Sequence, residues 1–280
     1  RWTHRRPQST IGAPTNPVRL THVPIRVSRS SSQRVPSGGM HLVDLIAQTS
    51  ETNNRVEDAL GVVQSIIEYA GTAAFAISAA LLAGRRRMNV VGVVEFSMLV
   101  AVGGGTSRDL LLGELPVYWV DDPTPLIVAA VAGAATIPLF RVGTISLIQR
   151  YDLVRAFDAA GLALFTILGT NIALDAGAGT ISAVFVGTIA GVGGGIIRDS
   201  LADRVPAVLR SGHFYASVAL TGAALDVALL ETSLSPAYAS TIAVSYILVL
   251  RLLSIHLGWG VPKFEIDADG DGRPDTTVSA

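Results

Sequence analysis

Two short stretches carry most of the residues here that could act on an ion or a small solute. The first reads VGGGTSRDLLLGELP from Val102 to Pro116, and the second VGGGIIRDSLADRVP from Val192 to Pro206. Each sets three consecutive glycines (Gly103, Gly104 and Gly105; Gly193, Gly194 and Gly195) in an apolar run and follows them with Arg-Asp, Arg108-Asp109 and Arg198-Asp199. Glycine weakens a helix by about 1 kcal/mol per residue relative to alanine, so the triplets predict interruptions. In lipid, interrupted backbone is tolerated only against protein or a water-filled cavity, and matched interruptions in two repeats point to a transport path. Carbonyls freed at a break can replace water around a cation, and the N-terminus of the next half-helix offers partial positive charge. Packing is the other reading, because small residues let helices approach closely. Unbroken helices with both triplets packed against neighbouring backbone would remove the case for a passage there.

The charges beside the glycines admit two roles. Arg108, Asp109, Arg198 and Asp199 are either gates or ion-attracting mouths at the two ends of a path, or salt bridges that pin each helix. Glu68 and Asp158 each lie about two turns into an apolar run. They tilt a lumen toward cations, or they partner Arg108 and Arg198; charged groups in hydrocarbon must face one another, a cavity or the interface. Arg155 precedes Asp158 by one turn on the same face, and Glu95 and Asp226 also fall inside apolar runs.

Enzymatic signals are absent. The chain has no cysteine, which removes disulfides, thiolate metal sites and thiol catalysis. It has no HExxH and no Gly-x-Ser-x-Gly, and His4, His22, His41, His213 and His256 lie in the N-terminal tail, in loops or at helix ends. No catalytic residue, metal site or cofactor is expected. Asp267, Asp269, Asp271 and Gly272 match the first half of a calcium loop, but its twelfth position is Val278, so this reads as a solvated acidic tail.

Membrane spans must position these residues. The 280-residue chain is 50% hydrophobic and 15% charged, with a mean hydropathy of +0.49; soluble domains carry about 25% charged residues. The net charge of −1 gives no field for nucleic acid. Apolar runs near the ~20 residues needed to span a bilayer fall at Leu60–Gly84, Asn89–Leu112, Thr124–Phe140, Asp152–Ala176, Gly179–Ala202, Gly212–Glu231 and Pro236–Leu257. His41–Asp58 reads as amphipathic or loop.

A shift of ninety positions superposes the glycines, the Arg-Asp pairs and Pro116 on Pro206. It also superposes Glu68 on Asp158, Gly71 on Gly161 and Phe75 on Phe165. An odd number of spans per copy inverts the second copy in the membrane. The fold class is therefore an all-α membrane protein: seven transmembrane helices as two inverted three-helix repeats, at 59–144 and 150–232, plus a seventh helix at 236–257 and a polar acidic tail at 258–280. Residues 1–39 hold seven arginines and no acid. They read either as a disordered basic extension or as sequence upstream of a start at Met40. The loops after the first, third, fifth and seventh helices hold most of the arginines, which predicts an outside N-terminus and a cytoplasmic C-terminus in a multi-pass plasma (inner) membrane protein.

With GGGTSRDLLLGELPVYW and GGGIIRDSLADRVPAVLR, the chain resembles the prokaryotic trimeric intracellular cation (TRIC) channels, a family also known as glycine transporters. The resemblance covers about Ala59–Leu257. It implies a homotrimer in membrane lipid, with a separate pore in each subunit lined by kinked second and fifth helices. It also implies passage of monovalent cations, mainly potassium and sodium. A carrier of glycine or another small zwitterion is the alternative. Two departures stand out. Asp152–Ala176 lacks the lysine motif that animal members carry in the fourth helix, and Asp203 stands where the first motif has Gly113, so the two helix ends are not expected to behave alike.

Overall fold

The computed structural model describes residues 38–141, 152–210 and 214–260, with side chains from residue 61 onward. The chain divides into Arg1–Asn53 and Asn54–Ala280. The first unit is described only from Gly38, where a helix begins, and all the side-chain packing belongs to the second. The N-terminal extension before that helix and the tail with Asp267, Asp269 and Asp271 lie outside the described residues.

Every described element is helical. Helix α1 runs Gly38–Arg85. The start expected at Leu60 is corrected, since neither proline nor glycine interrupts the stretch between Gly39 and Gly61. Helix α2 is Val90–Leu112, α3 the single turn Tyr118–Asp121, and α4 Thr124–Arg141. Helices α5 and α6 are Leu153–Asp175 and Thr180–Leu201. A 3-10 turn at Ala207–Leu209 leads to α7, Ala216–Leu230, and α8, Pro236–Leu257. Five helices are long and apolar enough to cross a membrane, and two shorter apolar ones, Thr124–Phe140 and Ala216–Leu230, complete the expected set.

Local chemistry sets the ends. The Asn89 side chain accepts a hydrogen bond from the Gly92 N–H at 2.7 Å and starts α2. Gly113 ends it in the left-handed region, where the Glu114 N–H reaches back to the Asp109 carbonyl. Asp203, the residue expected to make the second helix end differ, adopts the same hand with φ 52°. The Arg204 N–H there returns to the Asp199 carbonyl at 2.9 Å. Aspartate tolerates this conformation better than most residues, so the two ends behave alike after all.

The interior is built from small side chains. Ala74, Ala76, Ala79, Ala80, Ala159 and Ala163 are buried, with Thr72, Ser78, Thr166 and Thr170 among them. Large apolar side chains such as Val62, Ile66, Leu99, Val131, Ile181 and Phe185 face outward. That distribution reverses the soluble pattern and suits helices that associate in lipid through close backbone contact.

The packing is reciprocal between the repeats. A methyl on Gly71 would meet the Phe165 ring, and one on Gly161 would meet Phe75; the two rings lie 5.6 Å apart. A methyl on Gly104 would meet the Ala190 carbonyl, and one on Gly194 the Val100 carbonyl. In each case the partner's counterpart, ninety residues away, makes the reverse contact. Such reciprocity is the mark of a two-fold relation.

Candidate functional site: two buried arginine centres

The expected interruptions are not present. Helices α2 and α6 continue through Gly103–Gly105 and Gly193–Gly195 as α-helix, and all six glycines are buried. In lipid each surrendered backbone hydrogen bond costs several kcal/mol, more than the helix penalty of about 1 kcal/mol per glycine. The helix therefore survives its glycines. Their use is approach: Gly104 and Gly194 bring backbone against backbone, Gly103 lies under Ile197, and Gly105 and Gly195 lie under the rings of Tyr118 and Tyr215. Unwound carbonyls and half-helix N-termini are thus not available to bind a solute.

The Arg-Asp pairs build two centres of like design. In the second, Asp199 Oδ1 accepts from Arg198 Nε at 3.0 Å while Oδ2 accepts from the Ala207 N–H at 2.9 Å. Arg198 Nη1 donates to Asp158 Oδ1 at 2.6 Å and to the Ser78 hydroxyl at 2.9 Å. The Ser78 hydroxyl in turn donates to the Val154 carbonyl, tying α1 to the start of α5. Tyr215 donates to Asp158 at 3.2 Å, and the Arg251 guanidinium of α8 stacks on the Tyr215 ring at 4.6 Å.

In the first centre, Asp109 Oδ1 accepts from Arg108 Nε at 2.7 Å and Oδ2 from the Tyr118 N–H at 2.8 Å. Arg108 lies 5.3 Å from the Tyr118 ring centroid. Burial, and then the charge of Glu68, push the Tyr118 phenol up from its ordinary value, so it stays neutral. Glu68 Oε1 stands 3.6 Å from Arg108 Nη1, an ion pair too long for a hydrogen bond.

Each aspartate of the motif thus holds its neighbouring arginine with one oxygen and the following loop with the other. Glu68 and Asp158 partner the arginine of their own repeat. The centres are nevertheless unequal: the Asp158 side chain is 1% exposed and tightly bonded, whereas Glu68 is 18% exposed and loosely held. Arg155 does not share a bond with Asp158 as its spacing suggested; it pairs with Asp152 at 3.1 Å. Glu95 is exposed on the outer surface, and Asp226 is fully buried. Sequence reasoning missed Ser78 and Tyr215, which have no counterpart motif. It noted Arg251 only as a charge within a span.

The centres sit at two depths. Ser78 follows Glu68 by ten residues on α1, a rise of about 15 Å. Between these levels lie Gly71, Phe75 and the glycine contacts of α2 with α6. Beside the second centre is a cavity of about 120 Å³, lined by Arg85, Arg155, Arg198, Arg204, Arg210 and Arg251 against Asp152, Asp158 and Asp199. Burial and the nearby Arg86 charge hold the Arg204 guanidinium below its ordinary value, as expected in a crowd of cations. Among the described residues no group of three or more His, Cys, Asp or Glu is placed to hold a metal.

The fold and these centres define an internally duplicated, all-helical protein of the membrane, with ion-paired arginines buried at two levels. A family profile described as "Glycine transporter" matches residues 65–141 and again 155–231. The UPF0126 inner membrane protein YadS of Escherichia coli is 41% identical over 207 residues, 73% of this chain and 97% of that protein. A UPF0126 membrane protein of Vibrio cholerae is 34% identical, over 83% of this chain and 94% of its own length. The TRIC trimeric intracellular cation channel orthologue from Rhodobacter sphaeroides superposes with a TM-score of 0.65 at 32% identity, covering 70% of this chain and 99% of that one. A second TRIC cation channel structure gives 0.64 at 33% identity, covering 73% and 98%. The chain belongs to this family, the glycine transporter or prokaryotic TRIC family, and is a multi-pass membrane protein.

Proposed function

We propose that this protein is a channel for monovalent cations, potassium and sodium, with one path per subunit along the seam between α2 and α6. The observation that carries the reading is the pair of arginine centres, related by the repeat and set on either side of a glycine and phenylalanine layer. Charged vestibules flanking a narrow apolar waist are the arrangement of a gated path. The similarity to TRIC cation channels supports it. The close Gly104–Gly194 approach describes a closed state, so opening requires α2 and α6 to part at that layer. In this reading Gly103–Gly105 and Gly193–Gly195 are the contacts that yield, and Arg108, Asp109, Arg198 and Asp199 with Glu68 and Asp158 are the charges at the mouths.

The same proposal includes a homotrimer in membrane lipid and the division into repeats 59–144 and 150–232, a seventh helix at 236–257 and a tail at 258–280. It places the N-terminus outside and the C-terminus in the cytoplasm, on the distribution of loop arginines.

A carrier of glycine or a similar zwitterion is the second reading, favoured by the family description and by the arginine-rich cavity. With the helices unbroken, the solute carboxylate would be met by guanidinium groups and not by helix N-termini. Purified protein in planar bilayers and in liposomes separates the two. Unitary potassium currents support the channel; counterflow of labelled glycine without unitary current supports the carrier and defeats the channel.

A further inference from the structure

Asp226 lies outside both arginine centres, and its surroundings do not account for its charge. It is fully buried in α7, and neither carboxylate oxygen has a hydrogen-bond partner. The polar side chain that approaches it is Ser240 of α8, and among the described residues no charged group of α5, α6 or α8 acts on it. The Ser240 hydroxyl oxygen accepts a hydrogen bond from the Asn171 side-chain amide of α5 at 3.0 Å, which leaves the Asn171 amide oxygen free. Three helices therefore bring carboxylate, hydroxyl and amide oxygens to one place.

The architecture does not demand an acid there. The equivalent residue of the first repeat is Thr136, whose hydroxyl donates to its own helix at the Gly133 carbonyl. Asn171 corresponds to Leu81. The second repeat has thus replaced a neutral arrangement with a set of oxygen ligands. An uncompensated carboxylate inside a membrane protein is costly and marks a functional group.

We propose that Asp226, Ser240 and Asn171 form a binding site for one dehydrated monovalent cation of the sodium or potassium class. Asn171 and Asp226 each precede the end of their helix by four residues, and Ser240 follows the start of α8 by four. The site therefore lies about 6 Å, one helical turn, inside a single end of the bundle. A cation reaches it without crossing the glycine layer. Bound there it ties α5, α7 and α8 together, apart from the α2–α6 seam, so occupancy acts on stability and assembly rather than on permeation.

Thermal melting of the detergent-purified full chain tests this, at equal ionic strength in sodium, potassium or choline chloride. A ligand bound only by the folded state raises the melting point by mass action. The wild type is expected to melt at least about 3 °C higher in sodium or potassium than in choline. Asp226→Asn removes the difference, and Glu95→Gln, at an exposed acid, keeps it. Should Asp226→Asn fail to fold, Ser240→Ala serves. Losing one oxygen ligand worth about 1 kcal/mol should raise the half-stabilising salt concentration about fivefold. Equal melting of the wild type in all three salts overturns the proposal and assigns the carboxyl a proton. So does an undiminished sodium or potassium response in Asp226→Asn, or an unshifted one in Ser240→Ala. None of these readouts depends on transport, so this site and the proposed channel stand or fall separately.

Discussion

Adding one methyl group at Gly104 and one at Gly103 should have opposite consequences. The Gly104 methyl would run into the Ala190 carbonyl oxygen, with the Gly194 nitrogen close behind at 3.8 Å. Backbone cannot swing aside, so relief requires α2 to move off α6, and overpacking of this kind costs about 1–3 kcal/mol. Alanine returns about 1 kcal/mol of helix propensity. The net for Gly104→Ala is a loss of up to about 2 kcal/mol, concentrated at the α2–α6 seam. The Gly103 methyl would meet only Cδ1 of Ile197, the free end of a side chain that can change rotamer, at about 0.5–1.5 kcal/mol. Gly103→Ala should therefore be close to neutral. The assay is thermal melting of the two purified variants beside the wild type, with size-exclusion chromatography to confirm assembly. Equal stability of the two variants, or a more stable Gly104→Ala, would refute the claim that the triplets exist for backbone contact.

The two arginine centres predict unequal responses to the same chemistry. Asp158→Asn breaks a 2.6 Å, sealed ion pair and should cost about 3–5 kcal/mol. Glu68→Gln removes a longer, partly exposed one and should cost about 1 kcal/mol or less; denaturant titration of both variants checks the order. Phe75→Ala and Phe165→Ala should each cost about 3–5 kcal/mol. They should do so to a similar degree, because the rings occupy equivalent places against Gly161 and Gly71. A large disparity between them in melting experiments would contradict the two-fold relation.

Much of this fold is legible because membrane helices announce their length and their ends. The apolar run Pro236–Leu257 matches its helix to the residue, and the run for α2 differs only by its Asn89 cap. Gly212–Glu231 is too long, because the described helix begins at Ala216 and apolar content alone does not mark that start. The helix upstream of Leu60 is hidden by its polarity, which resembles a break although no breaker residue stands there. The glycine triplets are plain in the sequence, but their effect is not. Propensity measured in water undervalues the backbone hydrogen bond in lipid. The pairing of Glu68 with Arg108 and Asp158 with Arg198 is open to reading from the shared spacing. The contributions of Ser78, Tyr215 and Arg251 depend on tertiary contact and leave no pattern in the chain.

The absence of cysteine makes the conduction path open to a direct test. Ser107 is partly buried on the seam, its hydroxyl oxygen 3.5 Å from where a methyl on Gly193 would stand. Ser107→Cys, reconstituted in a planar bilayer in potassium chloride, should conduct as the wild type does and then lose its unitary current when a cationic methanethiosulfonate is added. Complete labelling of that cysteine with the potassium current unchanged would show that ions do not pass between α2 and α6.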